Sequence, residues 1–254
     1  MVLPYAGNPL FRNGETDMIS VVIPMYNEQS DISGTAARLG AHLRSAGREY
    51  ELVLVNDGSS DGTAQVLSAL AADPHVRVVS YEENRGKGYA MRQGAAAARG
   101  DLLVFLDADL SYGLPILDEA IEMFRTAGAD LVVGSRVLAE HATEKYPPAR
   151  KLASGAFRFL VHCITRLPFT DTQCGFKCYT RAAADKIFPR CTIDRFAADI
   201  EILTVAKEEG LRVCEIPAAI QTHGASSVNL LPDSIAMLRD AMAISRAHRK
   251  KKRG

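Results

Sequence analysis

Leu102-Leu103-Val104-Phe105-Leu106-Asp107-Ala108-Asp109-Leu110 sets five apolar residues against two carboxylates one residue apart. A short apolar run that ends in turn-forming polar residues reads as a buried strand, with both carboxylates converging where the strand stops. At about 4 Å apart and an effective dielectric near 20, two such charges repel by roughly 4 kcal/mol, which makes a bound divalent cation their natural partner. That cation would in turn hold a diphosphate. The plainer reading, an Asp turn after a strand, would leave Asp107 beside the apolar run with no partner, and burying a lone carboxylate is costly.

Outward from this stretch the same pattern repeats. Candidate strands are 19–24, 51–56, 76–81, 102–107 and 131–134, and candidate helices between them are 31–46, 63–72, 88–98 and 114–127. Strand and helix taking turns predicts an α/β fold, a Rossmann-like, mostly parallel sheet with helices on both faces. In such sheets ligands lie outside the carboxyl ends of the strands. Four polar clusters fall there: Tyr26-Asn27-Glu28, Asn56 to Thr63, Asn84-Arg85-Gly86-Lys87-Gly88 and Asp107-Ala108-Asp109. Beyond Gly134 the pattern changes to a Pro147-Pro148 loop, a helix over about 151–165, a polar segment from Asp171 to Tyr179 containing a strand, a helix over about 197–209 and a strand near 213–216. A last helix, about 233–248, places Ile235, Leu238 and Met242 on one side. The expected division is an irregular arm over 1–17, one domain over 18–228, and a C-terminal helix with a basic tail over 229–254.

The 254 residues, 47% of them hydrophobic, are enough for a continuous core. Thirty basic and thirty acidic residues cancel, so no global field argues for nucleic acid. Arg249, Lys250, Lys251, Lys252 and Arg253 crowd the end, which leaves the rest of the chain a formal charge of −5. The five cysteines are an odd number in a chain without a signal-peptide pattern, which points to reduced thiols in a cytosolic setting. Cys174 and Cys178 have no second pair or His partner at zinc spacing. No apolar stretch approaches the roughly 20 residues that span a bilayer, so a soluble or peripheral protein is expected.

Each cluster also has a structural reading. In Asn56-Asp57-Gly58-Ser59-Ser60-Asp61-Gly62-Thr63 the glycines suit a strand-to-helix turn and Asp61 suits a cap, but Asp57 stands at the strand tip, where a carboxylate can accept from a base or ribose. Pro24 removes a ladder donor and directs the chain out of the sheet toward Tyr26 and Glu28. Arg85 and Lys87, set between glycines before a helix, suit an anion held at its N-terminus.

Val21-Val22-Ile23-Pro24-Met25-Tyr26-Asn27-Glu28, Asn-Asp-Gly-Ser-Ser-Asp-Gly-Thr, Asn-Arg-Gly-Lys-Gly, Asp-Ala-Asp and Gly134-Ser135-Arg136, in that order, resemble a family-2 glycosyltransferase with the GT-A fold. Asp171-Thr172-Gln173-Cys174-Gly175-Phe176-Lys177 narrows the resemblance to the polyprenyl-phosphate branch, nearer the dolichyl-phosphate glucosyltransferases than the mannosyltransferases. It covers about residues 18–225. By resemblance, Pro24, Tyr26, Glu28, Asp57, Lys87, Asp107, Ala108 and Gln173 would line the nucleotide-sugar pocket. Asp107 and Asp109 would form the metal motif for Mg²⁺ or Mn²⁺, with Asp109 touching the ion. Arg136, Arg150, Ser154 and Lys177 would face the acceptor phosphate, and Asp109, Asp199 and Arg136 would be the catalytic residues.

Asp199 matches the carboxylate often named as base in the family. A lipid monophosphate is already mostly anionic at neutral pH, so Asp199 is equally suited to positioning sugar hydroxyls or the acceptor, or to a plain place in a helix's first turn. Two departures stand out: Ser111 where mannosyltransferase relatives carry Gln, and Val228 where relatives often carry Lys or Arg after His223-Gly224-Ala225-Ser226-Ser227. The implied reaction moves a hexose, glucose by the closest resemblance, from a nucleotide sugar to a polyprenyl phosphate with inversion, catalysed by positioning and charge neutralisation. Mannosyl transfer from GDP-mannose, a saccharide or protein hydroxyl acceptor, and a non-catalytic nucleotide-sugar-binding subunit are the competing readings. The expected setting is the cytoplasmic face of a membrane, held peripherally by the last helix and basic tail, with room for a membrane-protein partner.

Overall fold

The structure, a computed structural model, describes residues 18–139, 148–221 and 230–251. The arm over 1–17, the segment from His223 to Val228 and the side chains of the basic tail lie outside the described residues.

Seven strands form one sheet in the order β3-β2-β1-β4-β6-β5-β7. They are β1 (Ile19–Met25), β2 (Tyr50–Asp57), β3 (Val76–Tyr81), β4 (Leu102–Phe105), β5 (Leu131–Ser135), β6 (Lys177–Thr180) and β7 (Val213–Pro217). All neighbours run parallel except β6, which is antiparallel to both β4 and β5. The helices are α1 (Ile32–Ser45), α2 (Thr63–Leu70), α3 (Lys87–Ala97), α4 (Pro115–Thr126), α5 (Pro148–Thr165), α6 (Arg181–Ile187), α7 (Ala198–Glu208) and α8 (Leu230–Lys251). Among the described residues no helix is long and apolar enough to cross a membrane.

β1 and β2 are buried nearly throughout, which explains their mainly apolar sequences, whereas edge strand β3 is only partly covered. Successive side chains point to opposite faces. Val21 and Ile23 therefore pack with Leu39 of α1, Leu67 of α2 and Phe124 of α4, while Val22 packs with Met91 of α3 and Ile200 of α7 on the other face.

Register aligns the strand tips. Met25 pairs with Asn56, Asp57 with Tyr81, and Val22 with Phe105. Lys177 opens β6 beside both Phe105 and Val133. The strand order reverses between β1 and β4, and the carboxyl edge at such a switch point is where sheets of this kind bind ligands.

Three differences from the sequence reading have physical causes. β4 stops at Phe105 rather than Asp107: Leu106 N–H still donates to Val22, but Asp107 already accepts from Leu110 N–H in a turn. The segment after β6 holds α6 and a 3-10 turn (Phe188–Arg190) that sequence periodicity did not reveal; α6 is only seven residues long and is started by Thr180, whose Oγ1 accepts from Ala183 N–H. On α8 the inward stripe is Met237, Ala241 and Ile244, with Leu238 at its margin, while Ile235 and Met242 face outward. Two apolar stripes compete along this helix, and the one facing α5 and α7 is buried.

Candidate active site

Asp107 leaves β4 at the switch point, and its Oδ1 accepts from Lys87 Nζ at 2.7 Å. Lys87 is the first residue of α3, so the Asn-Arg-Gly-Lys-Gly cluster sends its lysine back to the carboxylate instead of out to solvent. Burial alone would push the Asp107 carboxyl up; the Lys87 ammonium, helped by Lys177 and Arg136, outweighs it and holds it below the usual carboxylate range. Burial works against the Lys87 ammonium too, and Asp107 and Asp199 together raise its pKa nonetheless. On the far side, Gly175 abuts Asp107 so closely that a Cβ there would sit 2.0 Å from Oδ2. Only a residue without a side chain leaves that carboxylate in place.

Asp109 lies one turn residue further on. Its Oδ1 accepts from Ser111 N–H at 2.9 Å and its Oδ2 from the Ser111 hydroxyl at 2.5 Å. Ser111, the departure noted in the sequence, thus orients Asp109. The turn is clamped from α1, where the Thr35 hydroxyl donates to the Ala108 carbonyl at 2.5 Å, and Ala108 itself is buried. Glu28 faces this group from the β1 loop. Burial first, then the charges of Asp31, Asp109, Asp107 and Asp61, push its carboxyl up to about 7.

The loops after β1 and β2 are laced together. Asn27 N–H donates to Ser59 Oγ, Glu28 N–H to Thr63 Oγ1, and Asn27 Oδ1 accepts from Ser60 N–H. Tyr26 stays exposed above them, and Pro24 lies within β1, one residue from its end. Asp57 is buried, with Oδ1 and Oδ2 accepting from the backbone N–H groups of Arg85 and Gly86, each at 2.8 Å. It ties the β2 tip to the loop that carries Lys87, and the Arg85 guanidinium stacks 3.9 Å above the Tyr89 ring.

Two further ion pairs complete the group. Arg136 meets Asp171 in a two-pronged contact, Nε to Oδ2 at 2.6 Å and Nη2 to Oδ1 at 2.9 Å. Burial would raise the Asp171 carboxyl, but Arg136 holds it low. Lys177 Nζ donates to Asp199 Oδ1 at 2.6 Å and to the Cys174 carbonyl at 2.7 Å, with both side chains buried. In this conformation Lys177 is engaged with Asp199 and does not present its ammonium at an open surface. Gln173 donates through Nε2 to Met237 Sδ of α8 at 3.1 Å. Ser154 sits half-buried on α5, and the Arg150 side chain lies outside the described residues.

The structure therefore gathers Glu28, Lys87, Asp107, Asp109, Arg136, Lys177 and Asp199 around the carboxyl ends of β1, β4 and β5 and the amino end of the antiparallel β6. Sequence reasoning missed Asp171 and Gly175, although both lie in a segment it singled out; a carboxylate and a glycine bracketing Thr172-Gln173-Cys174 just before a strand were the signal. Among the described residues no three His, Cys, Asp or Glu side chains stand together as a ready-made metal cage. The donors on offer, Asp107 and Asp109, are hard oxygens of the kind Mg²⁺ and Mn²⁺ take.

Comparison with known proteins agrees with this geometry. Residues 20–188 match the family described as Glycosyl transferase family 2. The chain is 32% identical over 222 residues to Glycosyltransferase AglD of Haloferax volcanii, covering 86% of this chain and 35% of that protein. It is also 32% identical over 256 residues to the Dolichyl-phosphate beta-glucosyltransferase of Saccharomyces cerevisiae, covering 93% of this chain and 77% of that one. The chain thus spans about a third of the length of AglD and about three quarters of the yeast protein. Among solved structures, glucosyl-3-phosphoglycerate synthase from Mycobacterium tuberculosis, crystallised with UDP, superposes with a TM-score of 0.63 at 23% identity, over 91% of this chain and 80% of that one. That likeness establishes the fold.

Proposed function

The chain belongs to glycosyl transferase family 2, and from that premise we propose that it transfers glucose from UDP-glucose to a polyprenyl phosphate with inversion at the anomeric carbon. The observation that carries the reading is the meeting of Asp107, Asp109 and Glu28 with Lys87 at the switch point between β1 and β4. The relative named Dolichyl-phosphate beta-glucosyltransferase supports the choice of sugar and acceptor.

Each residue has a role in this scheme. Asp57 fixes the loop of Arg85 and Gly86, so that Lys87 is delivered to the site and the nucleotide finds a preformed wall with Pro24, Tyr26 and Ala108. Asp107 and Asp109 would hold Mg²⁺ or Mn²⁺, which supplies positive charge to the departing diphosphate. Lys87 adds a second, permanent cation beside Asp107. Arg136, oriented by Asp171, faces the acceptor phosphate, with Arg150 and Ser154 as further candidates. The phosphate oxygen attacks from the side opposite the diphosphate and needs little deprotonation near neutral pH. Asp199, already occupied by Lys177, positions groups rather than removing a proton. The acceptor and the work itself belong at the cytoplasmic face of a membrane.

The test is transfer of labelled glucose from UDP-glucose to dolichyl phosphate by the purified chain, run beside GDP-mannose. Glucosyl lipid formed only from UDP-glucose supports the proposal. Mannosyl lipid alone, or turnover only with a saccharide hydroxyl, overturns it.

A further inference from the structure

α5 carries no acidic residue from Pro148 to Thr165. Its described outward positions include Ala156, Phe159, Leu160 and Cys163, which helical spacing places on one face. Phe159 is 67% exposed, the most of any large apolar side chain among the described residues. The helix has already satisfied its core: Val161 is buried, Phe157 packs against the inner cluster, and α8 lies alongside, with Ser245 Oγ donating to the Ile164 carbonyl at 2.9 Å. The exposed stripe is what remains.

α8 continues the same character. Ile235, Arg239, Met242 and Arg246 face outward, and the one acid between Ser234 and His248, Asp240, is half-buried. Exposed Val137 and Leu138 follow directly after Arg136. Large apolar side chains interleaved with arginines, with no outward carboxylate on either helix among the described positions, complement a surface that is apolar within and anionic at its rim.

We infer that the outward faces of α5 and α8 dock on a lipid bilayer bearing anionic headgroups, with Phe159 and Leu160 at the acyl boundary and Arg239 and Arg246 on headgroup phosphates. This rests on the reading of the acceptor as a lipid phosphate and names the surface that reaches it. The docking helix α8 borders the site, because Met237 on its inner face accepts from Gln173, and exposed Leu138 lies two residues from Arg136.

The chain contains no tryptophan, so Phe159→Trp introduces a single fluorescent reporter. With vesicles of phosphatidylcholine and phosphatidylglycerol, its emission shifts to the blue and is quenched by brominated acyl chains. Ala72→Trp, exposed in the turn after α2 on the other face of the sheet, stays unchanged. Emission from Phe159→Trp that ignores the vesicles, or equal changes at both positions, overturns the inference. Independently, Phe159→Ser with Leu160→Ser lowers the vesicle-bound fraction of the full chain about tenfold, and Arg239→Gln with Arg246→Gln lowers its salt sensitivity in part, the basic residues 249–253 carrying the rest. Unchanged vesicle binding in the Ser double variant overturns docking, and if that variant instead splits a dimer, the stripe belongs to a second copy of the chain. Transfer to a short water-soluble isoprenyl phosphate, measured without vesicles, separates the two readings. Quenching without transfer sinks the acceptor and leaves docking standing, while transfer with a silent Phe159→Trp reporter does the reverse.

Discussion

The ammonium of Lys177 meets the carboxylate of Asp199 at 2.6 Å, 22 residues apart in the chain and nearly sealed from water. The same Nζ holds the Cys174 carbonyl at 2.7 Å, next to the glycine that abuts Asp107. One buried cation therefore ties α7 to the loop that backs Asp107.

Removing one partner of such a pair strands the other. Lys177→Met is expected to cost about 3–5 kcal/mol, lowering Tm by about 10 °C, and the double variant Lys177→Met/Asp199→Leu is expected to be more stable than Lys177→Met alone. Thermal melts of the two singles and the double measure this. Additive losses would contradict it.

Gly175→Ala places a Cβ where Asp107 Oδ2 now stands. Asp107 has to move away from Lys87, so transfer is expected to fall about 10²-fold, as it does for an ångström-scale misplacement in a positioned site, with much less change in stability. The kcat/KM and the melt, recorded on one preparation, give the comparison.

Lys87→Met removes a charge-assisted hydrogen bond of about 2 kcal/mol, which corresponds to roughly 30-fold in kcat/KM if it is made in the transition state. Chelation is expected to abolish transfer and either Mn²⁺ or Mg²⁺ to restore it. Asp107→Ala with Asp109→Ala should leave only residual turnover that is indifferent to chelator.

Glu28 brings a pH signature. Its folded pKa, raised to about 7 from 4.5, means that the native state holds the proton more tightly than the unfolded chain. The sign follows: stability falls as pH rises from about 4.5 through 7, because ionising Glu28 costs more in the fold. With solvent screening of this half-exposed carboxyl discounted, the effect is on the order of 1 kcal/mol. In EDTA, Glu28→Gln should show a shallower decline in Tm between pH 5 and 8. Parallel curves for the two proteins would remove the assignment.

Much of the fold was legible before any coordinate. Strands buried on both faces favour apolar residues on both, so β1, β2 and β4 stood out as mainly apolar runs, with Ser20 and Glu51 buried against each other, and β3 was bounded to the residue. The antiparallel β6 and the short α6 were blurred, because four and seven residues carry little periodicity.

From the chain alone came the alternation of strands and helices, the crowding of polar clusters at one sheet edge, and the candidacy of Asp107, Asp109, Glu28 and Lys87. These follow from local order: burial, turn chemistry and spacing act between near neighbours. Only the folded molecule decided that Lys87 faces Asp107, that Lys177 turns inward to Asp199, that Arg136 is forked onto Asp171 35 residues away, and that Asp57 spends its oxygens on two backbone amides. The physical reason is distance. A charge or hydrogen bond acts over a few ångströms of space, and sequence separation carries no record of which residues the sheet brings that close.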